Sequence, residues 1–185
     1  MKVFLTGASG FVGSHLLDSL LAADHEVSIL LQRTSNTRFI SRHLPTVTVH
    51  FGSLDDVSVL IQAMRGAEAL IHCAGKTKAL RASEFYQVNQ AGTCHIAMAA
   101  NACRESVRHL IYISSQAVSG PGDLVCPAEE AGDPRPVSVY GRSKLLGENE
   151  IRQQCRVPWT ILRLAAAYGP RDTEFLALFK KVKQR

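Results

Sequence analysis

The chain has 185 residues, 46% of them hydrophobic, and a formal net charge of +5. That is enough for one domain with a sizeable core at the composition of an ordinary soluble globular protein, and no apolar run approaches the ~20 residues that cross a bilayer. The basic residues are spread along the chain except for Lys180, Lys181, Lys183 and Arg185, which read as a solvated helix face, so neither a nucleic-acid nor a membrane partner is expected.

Residues 2–6 form a short β-branched and apolar run, Gly7, Gly10 and Gly13 follow at three-residue spacing, and 11–21 carries apolar residues at helical intervals. That order predicts strand, glycine turn, helix. By analogy with dinucleotide-binding turns, Gly7 lets the chain leave the strand sharply, Gly10 removes a Cβ where the backbone meets a pyrophosphate, and Gly13 brings the helix close to the sheet. The helix start, with its free N–H groups and dipole, then favours an anion. A plain strand-to-helix turn could carry the same glycines, so the triplet needs support from elsewhere.

A second strand, 26–31, ends in Gln32, Arg33, Thr34, Ser35 and Asn36. A carboxylate at this point would bond the adenosine ribose and repel a 2′-phosphate. None is present at Leu31, Gln32 or Arg33, and Arg33 with Ser35 offers a guanidinium and a hydroxyl instead, which favours NADP over NAD. An ordinary exposed arginine is the alternative. Residues 36–44 are expected as a short helix stopped by Pro45. Residues 47–51 are the third strand, closed by Gly52, Ser53 and Leu54. Asp55 or Asp56 caps a helix that runs to about Arg65 and ends at Gly66. The near-continuous apolar run 67–73 is a fourth strand, suited to a parallel sheet covered on both faces. Ala74 and Gly75 follow it, small enough for a cofactor to pass close to the backbone.

A helix is expected over 83–104, holding Tyr86, Asn89, Gly92 and Thr93, with an Ala-rich second half suited to close packing. Strand 108–114, a loop over 119–136, a helix over 139–155, strand 159–164 and the start of a helix at 175–182 complete the chain. Six strands alternating with helices predict a doubly wound α/β fold, a parallel sheet in the order 3-2-1-4-5-6 with its ligand beyond the carboxyl ends of the strands. Cys73, Cys94, Cys103, Cys126 and Cys155 form no C-x-x-C pair and read as reduced thiols. The seven histidines show no metal-binding spacing, and no metal is expected. A first strand starting at Met1 is read as leaving no room for a leader, and a cytoplasmic location is expected.

Tyr140 and Lys144 lie four apart in YGRSK, on one face of a helix, and Ser114 and Ser115 end the fifth strand on the ligand side. A phenol releases its proton near pH ~10, and a neighbouring ammonium lowers that value. The set suits hydride transfer between a nicotinamide and a carbinol carbon. Tyr140 exchanges the proton, the Ser115 hydroxyl bonds the reacting oxygen, and Lys144 assists the phenol and holds the cofactor ribose.

With these residues the chain resembles the extended short-chain dehydrogenase/reductase superfamily, which includes NAD(P)-dependent epimerase/dehydratases, dihydroflavonol-type reductases and 3β-hydroxysteroid dehydrogenase-like enzymes. TGASGFVGSHL is similar to its cofactor turn, HCAG at 72–75 to the segment after the fourth strand, VNQAGT at 88–93 to its VNxxGT helix, and YISSQAVSG with YGRSK to its catalytic region. ILRLAAAYGPRD at 161–172 resembles the segment beside the nicotinamide. The resemblance implies a Rossmann domain over 1–185 with Ser115, Tyr140 and Lys144 as catalytic residues. It implies cofactor contacts from Gly7, Ser9, Gly10, Phe11, Val12, Gly13, Gln32, Arg33, Ser35, Ser53, Leu54, Cys73, Ala74, Gly75, Lys76, Asn89, Tyr140 and Lys144.

Three positions depart from the family pattern. Ser53 replaces a common Asp, Ser119 a common Tyr, and Leu164 a common Pro. These changes favour a reductase of a non-sugar ketone or secondary alcohol over the alternative, a nucleotide-sugar epimerase or dehydratase. A non-catalytic NADPH-binding module is a third reading. Family members normally continue into a smaller carboxyl-terminal substrate region, so the resemblance implies that this chain is a fragment lacking most of it. It also implies a homodimer packed through the helices at 83–104 and 139–155.

Overall fold

A computed structural model describes residues 1–122, 125 and 127–183. Strands β1 (Lys2–Thr6), β2 (Glu26–Leu31), β3 (Thr48–Phe51), β4 (Ala69–His72), β5 (His109–Ser115) and β6 (Trp159–Leu164) form one parallel sheet in the order β3-β2-β1-β4-β5-β6. The strand order reverses between β1 and β4, so the chain leaves the two strands towards opposite edges of the sheet and opens a crevice beyond their carboxyl ends.

The period-two rule explains how β1 is buried on both faces. Val3 and Leu5 pack with Leu17 of helix α1 (Phe11–Ala22), together with Ile29 and Ile71 from the neighbouring strands. Phe4 points the other way, into a second cluster built from Leu60 and Met64 of α2 (Val57–Met64), Ile96 and Ala100 of α4 (Gly92–Ala102) and Ile151 of α5 (Val139–Gln154). The α1 face is less completely covered at the far edge. Ile111 and Ile113 of β5 are half-buried, and Leu162, in register with Ile113 on β6, is exposed. None of the described helices is long and apolar enough to cross a membrane.

Two expected helices differ. Residues 36–40 are not helical, and Pro45 lies inside a 3-10 turn, Ser41–Thr46, rather than stopping a helix. The expected helix over 83–104 is three pieces: α3 (Ala82–Tyr86), a single π turn (Gln87–Ala91) and α4. The reason is tertiary. The π turn buries Asn89, and α5 crosses so close to it that a Cβ on Gly147 would stand 2.3 Å from the Asn89 carbonyl oxygen and 2.5 Å from the Tyr112 hydroxyl. No propensity signals such a widening in advance.

Helix starts follow local chemistry. Asp56, not Asp55, caps α2 by accepting from Val59 N–H at 3.1 Å, and Ser138 caps α5 by accepting from Gly141 N–H at 2.9 Å. Asp172 accepts from the first amides of α6 (Glu174–Lys183), whose last turn carries Lys180, Lys181 and Lys183 in solvent. Arg185 and Cys126 lie outside the described residues, and the other four cysteines are free thiols.

Candidate active site

The turn between β1 and α1 is built by contact rather than by flexibility alone. Gly7 has φ 75°, and a Cβ there would lie 2.6 Å from Ala74 N; a Cβ on Gly13 would lie 2.0 Å from the Gly7 carbonyl oxygen. A side chain at Gly7 would collide with the backbone that follows β4, and one at Gly13 would push α1 away from the end of β1. Gly10 caps the helix without a side-chain bond, so the first amides of α1 are left to whatever enters the crevice.

That crevice is a cleft of about 750 Å³. Gly7, Ser9, Gly10, Phe11, Val12 and Gly13 line it, and so do Ser115, Tyr140 and Lys144. Gln32, Ser35, Ser53, Leu54, Cys73, Ala74, Gly75 and Lys76 line it as well. A volume of this order, glycines that leave no room for a Cβ and free helix amides fit a dinucleotide with its diphosphate on the first turn.

Two expected contacts stand elsewhere. Arg33 is outside the cleft, its guanidinium 5.5 Å from the centre of the Phe51 ring, in an adjoining recess of about 420 Å³ shared with Gln32, Ser35 and Thr37. Asn89 is buried behind the wall. Its side chain accepts from Lys76 N–H at 2.7 Å and donates to the Lys76 carbonyl at 2.9 Å and to the Ser143 hydroxyl at 2.9 Å. It shapes the loop that lines the cleft without lining it.

At the opposite end, burial raises the Tyr140 phenol above its usual range, and a hydrogen bond with the Ser115 hydroxyl works against that rise. The Lys144 ammonium is anchored on β5. Its Nζ donates to the Ile113 carbonyl at 2.8 Å and lies 4.2 Å from the centre of the Tyr112 ring. Burial lowers the ammonium to about 8, against the opposing charges of Cys73 and Glu148. The same burial raises the Cys73 thiol to about 11, partly offset by Lys144.

Sequence reasoning missed two supporting networks. His72 is fully buried and bonded at both ring nitrogens, to Thr6 Oγ1 at 2.8 Å and Thr93 Oγ1 at 3.1 Å. Thr93 gives its own proton to the Asn89 carbonyl, so the His72 Nε2–H must be the donor there and Nδ1 must accept from Thr6. Thr6 in turn accepts from Ala74 N–H at 3.2 Å. Burial, aided by Lys144, lowers the ring to about 3, so the imidazole is a neutral strut between β1, β4 and α4.

The second network centres on Glu148, fully buried one turn beyond Lys144. Arg163 holds it with two bonds of 2.9 and 2.8 Å, and Ser114 and Arg152 add bonds of 2.6 and 2.8 Å. Burial alone would raise this carboxyl; the bonds from Arg163, Ser114 and Arg152 hold it below its usual value. Its four-residue spacing from Lys144 was a usable signal. For His72 and Thr6, 66 residues apart, there was none.

A parallel sheet whose first crossover opens on a glycine turn, with serine, tyrosine and lysine at the other end of the same cleft, defines the dinucleotide-binding α/β class of the extended short-chain dehydrogenase/reductase type. The chain belongs to the NAD dependent epimerase/dehydratase family, whose sequence profile matches residues 3–184. It is 35% identical to a ceramide reductase of Caulobacter vibrioides, covering 96% of this chain and 50% of the relative. It is 28% identical to a decarboxylating sterol-4-alpha-carboxylate 3-dehydrogenase of Dictyostelium discoideum (92% and 55%) and 27% identical to a UDP-glucose 4-epimerase of Vibrio cholerae (91% and 52%). The chain spans about half the length of these curated relatives. Among solved structures, the Bordetella bronchiseptica enzyme WbmG in complex with NAD and UDP superposes with a TM-score of 0.84 at 26% identity, covering 100% of this chain and 60% of that one.

Proposed function

We propose that the protein is an NAD(P)-dependent oxidoreductase that transfers a hydride between a nicotinamide cofactor and a small-molecule ketone or secondary alcohol. In this reading residues 1–185 are its cofactor domain, it works in the cytoplasm, and it pairs with a second copy through α4 and α5. The observation that carries the reading is the meeting of Tyr140, Ser115 and Lys144 in the same cleft as the glycine turn.

The cofactor, when bound, supplies or takes up the hydride. The chain handles the proton and the charge. A phenol raised by burial stays protonated at neutral pH, the state needed to give a proton to a carbonyl oxygen, which supports the reducing direction. In this reading the Ser115 hydroxyl bonds the same oxygen as charge develops on it. Lys144, charged below about 8, supplies the positive charge of the pocket and would hold the ribose. The absence of a carboxylate at the end of β2, with Arg33 and Ser35 at a recess beside the cleft, supports NADP over NAD.

The test is stoichiometric oxidation of NADPH against a panel of ketones, with titrations of NADPH and NADH alongside. Replacing Tyr140 by Phe is expected to lower kcat by ~10²–10⁴-fold while leaving NADPH affinity unchanged. The UDP-glucose 4-epimerase relatives support a second reading, transient oxidation within a nucleotide sugar. It predicts turnover with no net loss of NADPH. If cofactor binds and the Phe variant keeps full biological activity, the protein is a binding module and not an enzyme.

A further inference from the structure

The segment from Leu164 to Phe175 forms part of the wall of the cleft, and it is held from outside the cleft. Residues 169–172 make a tight turn closed by Asp172 N–H donating to the Gly169 carbonyl at 3.1 Å. Pro170 stands at its second position and Arg171 at its third, with φ 73°. A positive φ at the third position is the demand of a type II turn, which glycine or asparagine meets most easily and a long side chain meets under strain. An arginine here needs a compensating contact.

That contact is Asp18. Arg171 Nη2 donates to Asp18 Oδ2 at 2.6 Å, and the two side chains are 20% and 25% exposed. Asp18 lies on one face of α1 with His15 and Phe11, spaced three and four residues apart. The same face grips the turn a second time, because His15 Nε2 donates to the Pro170 carbonyl at 2.9 Å while Phe11 meets the His15 ring edge-on. The carboxylate divides its oxygens between two segments. Oδ2 takes Arg171, and Oδ1 takes His43 Nε2 at 2.6 Å and Arg42 Nη2 at 3.0 Å from the 3-10 turn. Burial alone would raise Asp18, but its bonds to His43, Arg42 and Arg171 bring it down to about 2.

The residues directly after the turn, Asp172 to Phe175, line the cleft, and the charge of Glu174 reaches the Tyr140 phenol. We propose that Asp18 is a positioning residue for the reaction end of the cleft: through Arg171 it sets the 172–175 wall beside Tyr140. Helix α1 then orients both ends of a bound dinucleotide, one directly through its N-terminus and the other through its outer face. The last step rests on the dinucleotide reading above; the positioning of the wall does not.

Two variants of the full chain test it. Asp18→Asn removes the charge at constant shape, and Arg171→Gly removes the guanidinium while relieving the left-handed backbone, so a loss in the second is not backbone strain. Amide hydrogen exchange over 165–175 is expected to accelerate about tenfold or more in both, with exchange in β1 and β4 unchanged. ADP, which probes the diphosphate end alone, should bind within about twofold of the parent, whereas NADPH should weaken about tenfold. Asp18→Glu should recover part of the NADPH affinity. Unchanged exchange over 165–175, acceleration spread through the whole sheet, or equal weakening of ADP and NADPH would each overturn the proposal. Should the parent chain bind no NADPH, the dinucleotide reading falls and the exchange data alone decide the role of Asp18.

Discussion

Lys144 shows how far burial can shape one side chain in this cleft. The residue is 3% exposed, its ammonium is bonded to a single carbonyl and lies over Tyr112, and its value falls from 10.5 to about 8. Between these values the unfolded chain binds a proton that the folded chain has lost, so stability must rise with pH across that interval. The expected gain from pH ~8 to ~10 is on the order of 3 kcal/mol at most. Urea midpoints over this range should therefore climb for the parent and stay flatter for Lys144→Met. Activity should move the opposite way if the positive charge is what the chemistry uses, falling as the ammonium is lost above about pH 8.

At the scale of elements, the joint between α5 and the π turn holds α5 at its depth. Gly147 sits three residues beyond Lys144, and its missing side chain lets α5 lie against the Asn89 carbonyl and the Tyr112 hydroxyl. Gly147→Ala is expected to lower stability by about 1–3 kcal/mol, since overpacking outweighs the small gain in helix propensity. Calorimetry gives the stability change, and a larger NADPH dissociation constant in the same variant would show that helix depth and cleft shape move together. Glu148 anchors the same helix from the other side, tying it to β5 through Ser114 and to β6 through Arg163. The three residues Tyr140, Lys144 and Glu148 occupy successive turns of one helix face, and only the first two touch the cleft.

For the whole molecule, the proposed pairing through α4 and α5 makes a mass prediction. Met98 stands half-exposed on the outer face of α4, and Leu146 is half-buried on α5. Sedimentation is expected to give twice the 20.2 kDa chain mass, reduced to the single mass by Met98→Arg. A monomer in the parent chain would reject the pairing.

Much of this fold was legible in the residues themselves. The strands, the glycine turn and the Tyr140 to Lys144 spacing depend on local patterns of period two, three and four, which a linear chain carries openly, and the order of the sheet followed from the alternation of strands with helices. The start of α2 was readable for the same reason as far as Asp55 or Asp56, and the folded chain chose Asp56. What only the folded chain decided are contacts between distant segments: the π turn at Asn89, set by the approach of Gly147; the neutral His72 strut between Thr6 and Thr93; the bond of Lys144 to the Ile113 carbonyl; and the hold of Asp18 on Arg171, 153 residues away. Each of these depends on how two elements lie across one another, and that geometry has no period along the chain.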